Sequence, residues 1–237
     1  MLFILSIGGS ILAKELKPES FMAYAAALKE LSSEHDIVVI TGGGAAARDY
    51  INVARCTGSN EVECDYIGID ITRLNAKLLI SALGDAAYNG VPHDYREAEK
   101  ALNSGKIVVM GGVIPGQTTD AVGAILTEYL NAKMFVIATA VDGVYSADPR
   151  EDPNAVKYDT MTPAELVKTV ITTEMKAGSK SPVDPLAAKI IERCDFETIV
   201  MDGSNPQNVL NVVMQEANNT ERENVVYLGT RIISKKI

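Results

Sequence analysis

Three segments of this 237-residue chain are apolar almost without a break: Leu2–Ile7, Ile107–Met110 and Met134–Thr139. A strand with one wet face alternates apolar and polar residues. A continuous apolar run instead marks a strand covered on both faces, as in the middle of a parallel sheet. Strand-like and helix-like segments alternate around these runs along the chain. Further strands are expected at Ile37–Thr41, Thr198–Met201 and Val225–Leu228. Helices are expected at Glu19–Ser33, Ala45–Thr57, Tyr66–Leu83, Tyr95–Ser104, Asp120–Asn131, Pro163–Val170, Pro185–Arg193 and Pro206–Glu216. Thr162-Pro163-Ala164-Glu165 joins a proline at the first helical position to a capping box, and Asp184-Pro185 and Asn205-Pro206 repeat the cap-then-proline arrangement. Such alternation builds an α/β fold, an open and mainly parallel sheet with helices on both faces. No repeat, low-complexity tract or linker interrupts it. A boundary between two lobes of one fold is expected in the polar, turn-rich stretch Val141–Thr160.

Composition removes several functional classes. The chain is 47% apolar and 22% charged, and it is long enough for a sizeable core. Its 31 acidic residues outnumber 22 basic ones, for a net charge of −9. That argues against a nucleic-acid or anionic-membrane binder, whose affinity rests on clustered Lys and Arg. No apolar run reaches membrane-spanning length. The opening MLFILSIGGSIL has no basic leader and breaks at Gly8-Gly9, so it reads as a buried strand rather than a signal peptide. Cys56, Cys64 and Cys194 lack CxxC spacing and cannot all pair, which fits reduced thiols in a cytoplasmic protein. His35 and His93 are isolated, giving no support to a histidine metal site or a Ser-His-Asp triad. The Asn218-Asn219-Thr220 sequon reads as chance.

In open parallel sheets, ligands bind at the carboxyl ends of the strands. Four predicted strand ends carry glycine or small polar residues: Gly8-Gly9-Ser10, Gly42-Gly43-Gly44, the loop Gly111–Asp120, and Thr139 leading into Asp142-Gly143. One such loop is equally a tight turn. The set argues for a polyphosphate site, because glycines let backbone N–H groups approach phosphate oxygens and following helices aim free N–H groups at the same point. In GGVIPGQTTD (111–120), Thr118 and Thr119 offer hydroxyls, although Thr118 also suits a plain helix cap. Asp120 would repel a phosphate unless a cation lay between, which points to Mg²⁺ or a basic side chain. Arg48 lies one helical turn beyond Gly44, where a guanidinium suits phosphate, although it also suits a surface ion pair. Asp65 reads either as an N-cap or as an acceptor for ribose hydroxyls. Tyr145 offers an aromatic face and Asp148 a polar contact, or both are simple loop packing. There is no GxxxxGK[ST] motif and no GxGxxG with a distant acid, so P-loop and dinucleotide folds are disfavoured.

Taken in order, SIGGS (6–10), GGG with RDYI (42–51), DYIGIDITRLNA (65–76), VMGG-IPG-TTDA (109–121), VDGVYSADP (141–149) and VDPLAAKII (183–191) resemble the amino-acid kinase superfamily, most closely archaeal-type uridylate (UMP) kinases. The resemblance runs nearly the full chain. It implies a three-layer αβα sandwich around a mostly parallel open sheet. It also implies one domain, with a UMP-binding lobe near 1–131 and an ATP-binding lobe near 132–237. The implied reaction is Mg²⁺-dependent phosphoryl transfer from ATP to UMP in pyrimidine nucleotide biosynthesis, by a homohexamer built as a trimer of dimers. The matching positions imply UMP contacts at Gly43, Asp65, Val113, Ile114, Pro115, Gly116, Gln117, Thr118 and Thr119. Implied ATP contacts are Gly9, Ser10, Gly44, Arg48, Thr139, Tyr145 and Asp148.

Two positions depart from the superfamily pattern. Ser6 stands where many members have a lysine that neutralises the transferring phosphoryl group. Arg48, Lys180 and Lys14 are candidates to compensate, with Arg48 favoured. Ala140 stands where archaeal relatives often have asparagine. Arg48 and Asp120 are thus the expected catalytic pair, Arg48 supplying charge and Asp120 orienting the apparatus. Phosphoryl transfer needs in-line placement and charge cancellation, and UMP needs no general base because its phosphate is already an anionic nucleophile. Rival readings are a superfamily kinase acting on another small acid, and a nucleotide-binding storage or regulatory protein without turnover, which the Ser6 departure favours.

Overall fold

The strand that opens the chain, β1 (Leu2–Ile7), lies inside the sheet with all its residues but Leu2 buried. The computed structural model describes residues 1–149, 152–174, 183–217 and 228–234. After β1 come α1 (Gly9–Leu12), α2 (Pro18–Leu31), β2 (Asp36–Thr41), α3 (Gly44–Cys56), α4 (Glu61–Leu83), α5 (Tyr95–Leu102), β3 (Val108–Met110), α6 (Thr119–Tyr129) and β4 (Met134–Thr139). The remainder comprises β5 (Thr160–Met161), α7 (Pro163–Glu174), α8 (Pro185–Cys194), β6 (Thr198–Asp202), α9 (Pro206–Ala217) and β7 (Thr230–Ile232).

The seven strands form one sheet in the order β3-β2-β1-β4-β6-β7-β5. Every pairing is parallel except β6 with β7. Side chains alternate across each strand, so β1 feeds two cores. Phe3, Leu5 and Ile7 pack with α2, α4 and α9, whereas Ile4 packs on the other face with α5, α6, α7 and α8. The same alternation turns Ser6 toward the α6 face. The continuous apolar runs are explained by this double cover.

The predicted strands and helices appear within a few residues of their expected limits, with four differences. Helix α4 begins at Glu61 rather than Tyr66, because Asn60 caps it: Asn60 accepts from the Glu63 N–H and Glu63 accepts from the Asn60 N–H. That capping box (Asn60-x-x-Glu63) was readable in the sequence. Helix α1 and strand β5 are too short to show a period. The terminal strand lies at Thr230–Ile232, and residues 225–227 of the predicted one lie outside the described residues, as does the Asn218-Asn219-Thr220 sequon.

The caps marked by proline form as expected. Thr162 and Glu165 exchange hydrogen bonds, and Asp184 accepts from the Ala187 N–H at 2.9 Å. Among the described residues, no helix is long and apolar enough to cross a membrane. Cys56, Cys64 and Cys194 are free thiols.

Candidate active site

Parallel pairing sets the carboxyl ends of β3, β2, β1 and β4 side by side, so the four small-residue turns share one edge. The turns are bonded to their neighbours: the Gly42 N–H donates to Ile7 O and the Gly8 N–H to Ala138 O, both at 2.9 Å. They also touch directly. A Cβ on Gly9 would lie 2.0 Å from the Gly44 nitrogen, and one on Gly42 would lie 2.3 Å from the Gly9 nitrogen. Loop against loop therefore demands glycine here, whatever else the loops hold. Helix α3 starts in this cluster with no side-chain hydrogen bond at its cap Gly43, so its first N–H groups are available to an anion.

Beside the cluster is a cleft of about 200 Å³. Of the residues expected to hold an acceptor, Gly43, Asp65, Gln117, Thr118 and Thr119 line it, and so does Gly44 from the donor set. Ile51, Ile69, Thr72 and Gly112 also line it; all four fall within the quoted motifs but were not among the expected contacts. Ile51 and Ile69 offer apolar surface, Gly112 backbone, and the Thr72 hydroxyl is bonded to the loop, so none stood out as a ligand contact. Val113, Ile114, Pro115 and Gly116 belong to the same loop but lie outside the cleft lining, and Ile114 is half exposed.

The loop is held from α4 and α5. Thr72 accepts from the Gly112 N–H at 2.7 Å and donates to Ile69 O at 2.6 Å. Arg73 donates to Gly112 O at 3.1 Å and to Val113 O at 3.4 Å. Asp65 accepts from the Gly116 N–H through Oδ2 at 2.8 Å. The cap reading of Asp65 is thereby overturned: it sits in the second turn of α4, behind the true cap Asn60, and ties the helix to the loop. Tyr95 donates to Gln117 Oε1 at 2.7 Å. Thr118 does cap α6, accepting from the Ala121 N–H at 3.2 Å, and its own O–H stays available to a ligand.

Ser6 and Asp120 meet where β1 faces the start of α6. The fully buried Ser6 hydroxyl donates to Asp120 Oδ1 at 2.6 Å. Burial pushes the Asp120 carboxyl up to about 6; the Ser6 hydrogen bond opposes that rise and repulsion from Asp184 adds to it. Asp120 keeps part of its surface open to solvent, but its carboxyl is sunk against β1, so desolvation dominates. A carboxylate at the start of α6, raised by burial and by Asp184, suits a hard divalent cation. No cluster of three or more His, Cys, Asp or Glu stands ready among the described residues. An Mg²⁺ ion fits such a site as it commonly does, with one or two carboxylates and the rest of its shell from phosphate and water.

The remaining donor-side residues do not line the cleft. Gly9 and Ser10 form the first turn of α1, and Thr139 ends β4. The Tyr145 hydroxyl donates to Asp142 Oδ1 at 2.7 Å, and Lys157 lies 3.4 Å from the same carboxylate, so the phenol is already tied within its loop. The Asp148 carbonyl accepts from the Asp152 N–H at 2.9 Å. Arg48 is exposed on α3 and makes no hydrogen bond or ion pair with the described residues, which leaves its guanidinium uncommitted. Lys14 is exposed just past α1, and Lys180 lies outside the described residues.

A model of the amino acid kinase family matches residues 1–202. The chain is 71% identical to the uridylate kinase of Methanococcoides burtonii, over 98% of this chain and all of that one. It is 59% identical to the uridylate kinase of Methanosarcina mazei across the whole of both chains. Its fold also matches the crystal structure of the Archaeoglobus fulgidus uridylate kinase with a TM-score of 0.84 at 43% identity, over 98% of this chain and 100% of that one. With its mainly parallel sheet, its glycine turns at four strand ends and these full-length matches, the chain belongs to the amino acid kinase family, in the archaeal uridylate kinase group.

Proposed function

We propose that this chain is a UMP kinase. An oxygen of the UMP α-phosphate attacks the γ-phosphorus of ATP, the bond from that phosphorus to the β,γ-bridging oxygen breaks, and UDP and ADP leave. The observation that carries this reading is the cleft where Asp65, Gln117, Thr118 and Thr119 meet the Gly43-Gly44 turn, in a chain 71% identical to a uridylate kinase.

Each group has a role in that transfer. Asp65 spends Oδ2 on the loop and keeps Oδ1 for a ribose hydroxyl. Gly43 and the loop from Val113 through Ile114, Pro115, Gly116, Gln117 and Thr118 to Thr119 enclose uracil and the α-phosphate. Gly9, Ser10, Gly44, Arg48, Thr139, Tyr145 and Asp148 hold ATP from the other side; the lobes are roughly 1–131 for the acceptor and 132–237 for the donor, with Gly9, Ser10, Gly44 and Arg48 reaching ATP from the first. Arg48 swings its free guanidinium over the phosphates in place of the lysine that Ser6 replaces. Asp120, ionised above pH about 6, would hold Mg²⁺, which when bound would supply charge cancellation on the phosphates. Rate comes from placement and charge, so no side chain need act as general base.

Exposed apolar residues on α3 and α4 (Tyr50, Val53, Val62, Tyr66, Leu74 and Leu78) support self-association, and we assign the active form as a homohexamer, a trimer of dimers. The free thiols fit a cytoplasmic enzyme that supplies UDP to CTP synthesis.

An ADP-release assay with Mg²⁺–ATP tests the proposal. The acceptors are UMP, CMP, AMP, GMP, acetylglutamate, aspartate and isopentenyl phosphate. UMP is expected to be strongly preferred. Background rates with every acceptor, or preference for another one, would overturn it.

A further inference from the structure

An arm of chain that leaves a sheet keeps its place only if its inner backbone groups are bonded to something fixed. Such an arm follows β4, starting at the strand-end edge where the Gly8 N–H donates to Ala138 O and where open sheets receive ligands. Residues 144–146 and 156–158 pair antiparallel within it, the Tyr158 N–H donating to Val144 O and the Ser146 N–H to Val156 O, both at 2.9 Å. The other two groups of the Val144–Tyr158 pair are joined through a side chain of β7. The Thr230 hydroxyl accepts from the Val144 N–H at 2.8 Å and donates to the Tyr158 carbonyl. A backbone N–H can only donate and a carbonyl can only accept, so both roles of this hydroxyl are fixed. Thr230 is fully buried, and a Cβ on Gly143 would lie 2.6 Å from its oxygen, so the turn into the arm closes over it. Strand β7 is itself held. It pairs with β6 and β5, and Arg231, on its other face, pairs with Glu197 and with Glu216 of α9.

We infer that Thr230 is a positioning residue for the phosphoryl donor: by bridging both sides of the arm it fixes the segment that carries Tyr145, and so sets the affinity for Mg²⁺–ATP. This rests on the reading of the arm as part of the donor side. Being fully buried, Thr230 acts through the arm and not on the nucleotide. It also lies beyond residues 1–202, the span that the family model matches, so the family pattern gives no reason to look there. Thr230→Val keeps the volume but removes both bonds, leaving the Val144 N–H and the Tyr158 carbonyl without the group that joined them. The arm then loses its tie to β7, while the acceptor cleft, built on α3, α4 and the loop after β3, is untouched.

Calorimetric titration of the full-length chain tests this, with Mg²⁺ and the β,γ-imido analogue of ATP in one series and UMP in another, beside steady-state kinetics. In Thr230→Val the Kd for the analogue and the KM for ATP should rise about tenfold, with Kd and KM for UMP within about twofold of wild type. Thr230→Ser keeps the hydroxyl and should restore donor binding to within about threefold. Gly143→Ala drives a Cβ onto the same hydroxyl from the arm side and should weaken the analogue but not UMP, which covers a Thr230→Val chain that does not fold. Amide exchange on wild type needs no variant: the analogue, and not UMP, should slow exchange at residues 144–146 and 156–158. An unchanged Kd for the analogue in Thr230→Val, an equal rise for UMP, a serine variant as weak as the valine one, or an arm whose exchange the analogue leaves alone would each overturn the inference. Wild type that phosphorylates UMP while Thr230→Val binds the analogue normally refutes only Thr230's role. Wild type that transfers no phosphoryl group to UMP refutes the kinase reading, and the titrations with the analogue still decide Thr230's role.

Discussion

Ser6 on β1 and Asp120 on α6, 114 residues apart in sequence, share a hydrogen bond of 2.6 Å at the edge where the glycine turns converge. A serine hydroxyl orients the carboxylate without cancelling its charge. Asp120 pairs with no Lys or Arg among the described residues, and Asp184 repels it further. The carboxylate is thus held at an electrostatic cost that a divalent cation would relieve, so its charge is a functional group rather than a structural one.

Substituting Asp120→Asn should therefore separate activity from stability. The amide can still accept from Ser6 but lacks the charge that the proposed role in holding Mg²⁺ needs, so kcat is expected to fall on the order of 100-fold. Asp120 is raised from its ordinary 3.8 to about 6 in the folded chain. The folded state then holds the extra proton, so the group's penalty is absent below pH about 4 and grows as pH rises through 6. Asp120→Asn should stabilise the chain by up to about 3 kcal/mol at pH 8 and by almost nothing at pH 4. Wild-type kcat should decline with the opposite sense, falling as pH drops below about 6. Denaturant melts at both pH values and a pH–rate profile check this; equal stability of the two chains at pH 8 would contradict it.

Asp65 and Asn60 lie at the same helix but serve different ends, and their variants should show it. Asp65→Asn loses the charge that binds the Gly116 N–H and, in the proposed function, a ribose hydroxyl, so KM for UMP should rise on the order of tenfold, with KM for ATP within about twofold. Asn60→Ala removes only the cap and should cost about 1 kcal/mol of stability. Its KM for UMP should stay at the wild-type value. Kinetics with a urea titration on each variant decides the matter, and a matching rise in both KM values for Asp65→Asn would refute its acceptor role.

The glycine turns should differ in what they tolerate. A Cβ at Gly9 meets the backbone of Gly44 at 2.0 Å, so Gly9→Ala must push two strand-end loops apart. A loss on the order of 3 kcal/mol is expected, together with activity. Gly116 has φ +78 but, among the described residues, no atom within 4 Å of the place a methyl would occupy, so Gly116→Ala should cost only about 1 kcal/mol, for the left-handed backbone. Equilibrium unfolding of the two variants gives the comparison, and similar losses would show that crowding is not the reason for Gly9.

His35 has both ring nitrogens buried without a hydrogen-bond partner among the described residues, its ring meeting Phe3 edge to face at 5.3 Å. It precedes β2, whose opposite end carries Gly42, so it is far from the site along the strand. His35→Phe keeps the ring contact and removes the unpaired polar atoms. It should raise stability by up to about 1 kcal/mol and leave kcat alone. Destabilisation in a thermal melt would mean that the imidazole has a polar partner after all.

Much of this protein was decided locally. The apolar runs of β1, β3 and β4 could be nothing but covered strands, and Thr162 with Glu165 and Asp184 before Pro185 marked helix starts that depend only on nearby backbone N–H groups. The glycine turns were legible for the same reason, as breaks between one period and the next. What tertiary structure alone decided is which of these pieces meet. Asp65 reaches Gly116 across 51 residues and Tyr95 reaches Gln117 across 22, because the order β3-β2-β1-β4 brings α4 and α5 against the loop after β3. Asp65 looked like a cap because local pattern cannot distinguish a carboxylate that serves its own helix from one that serves a distant loop. Strand order is a property of the whole packed sheet, and it is strand order that turned a row of turns into a cleft.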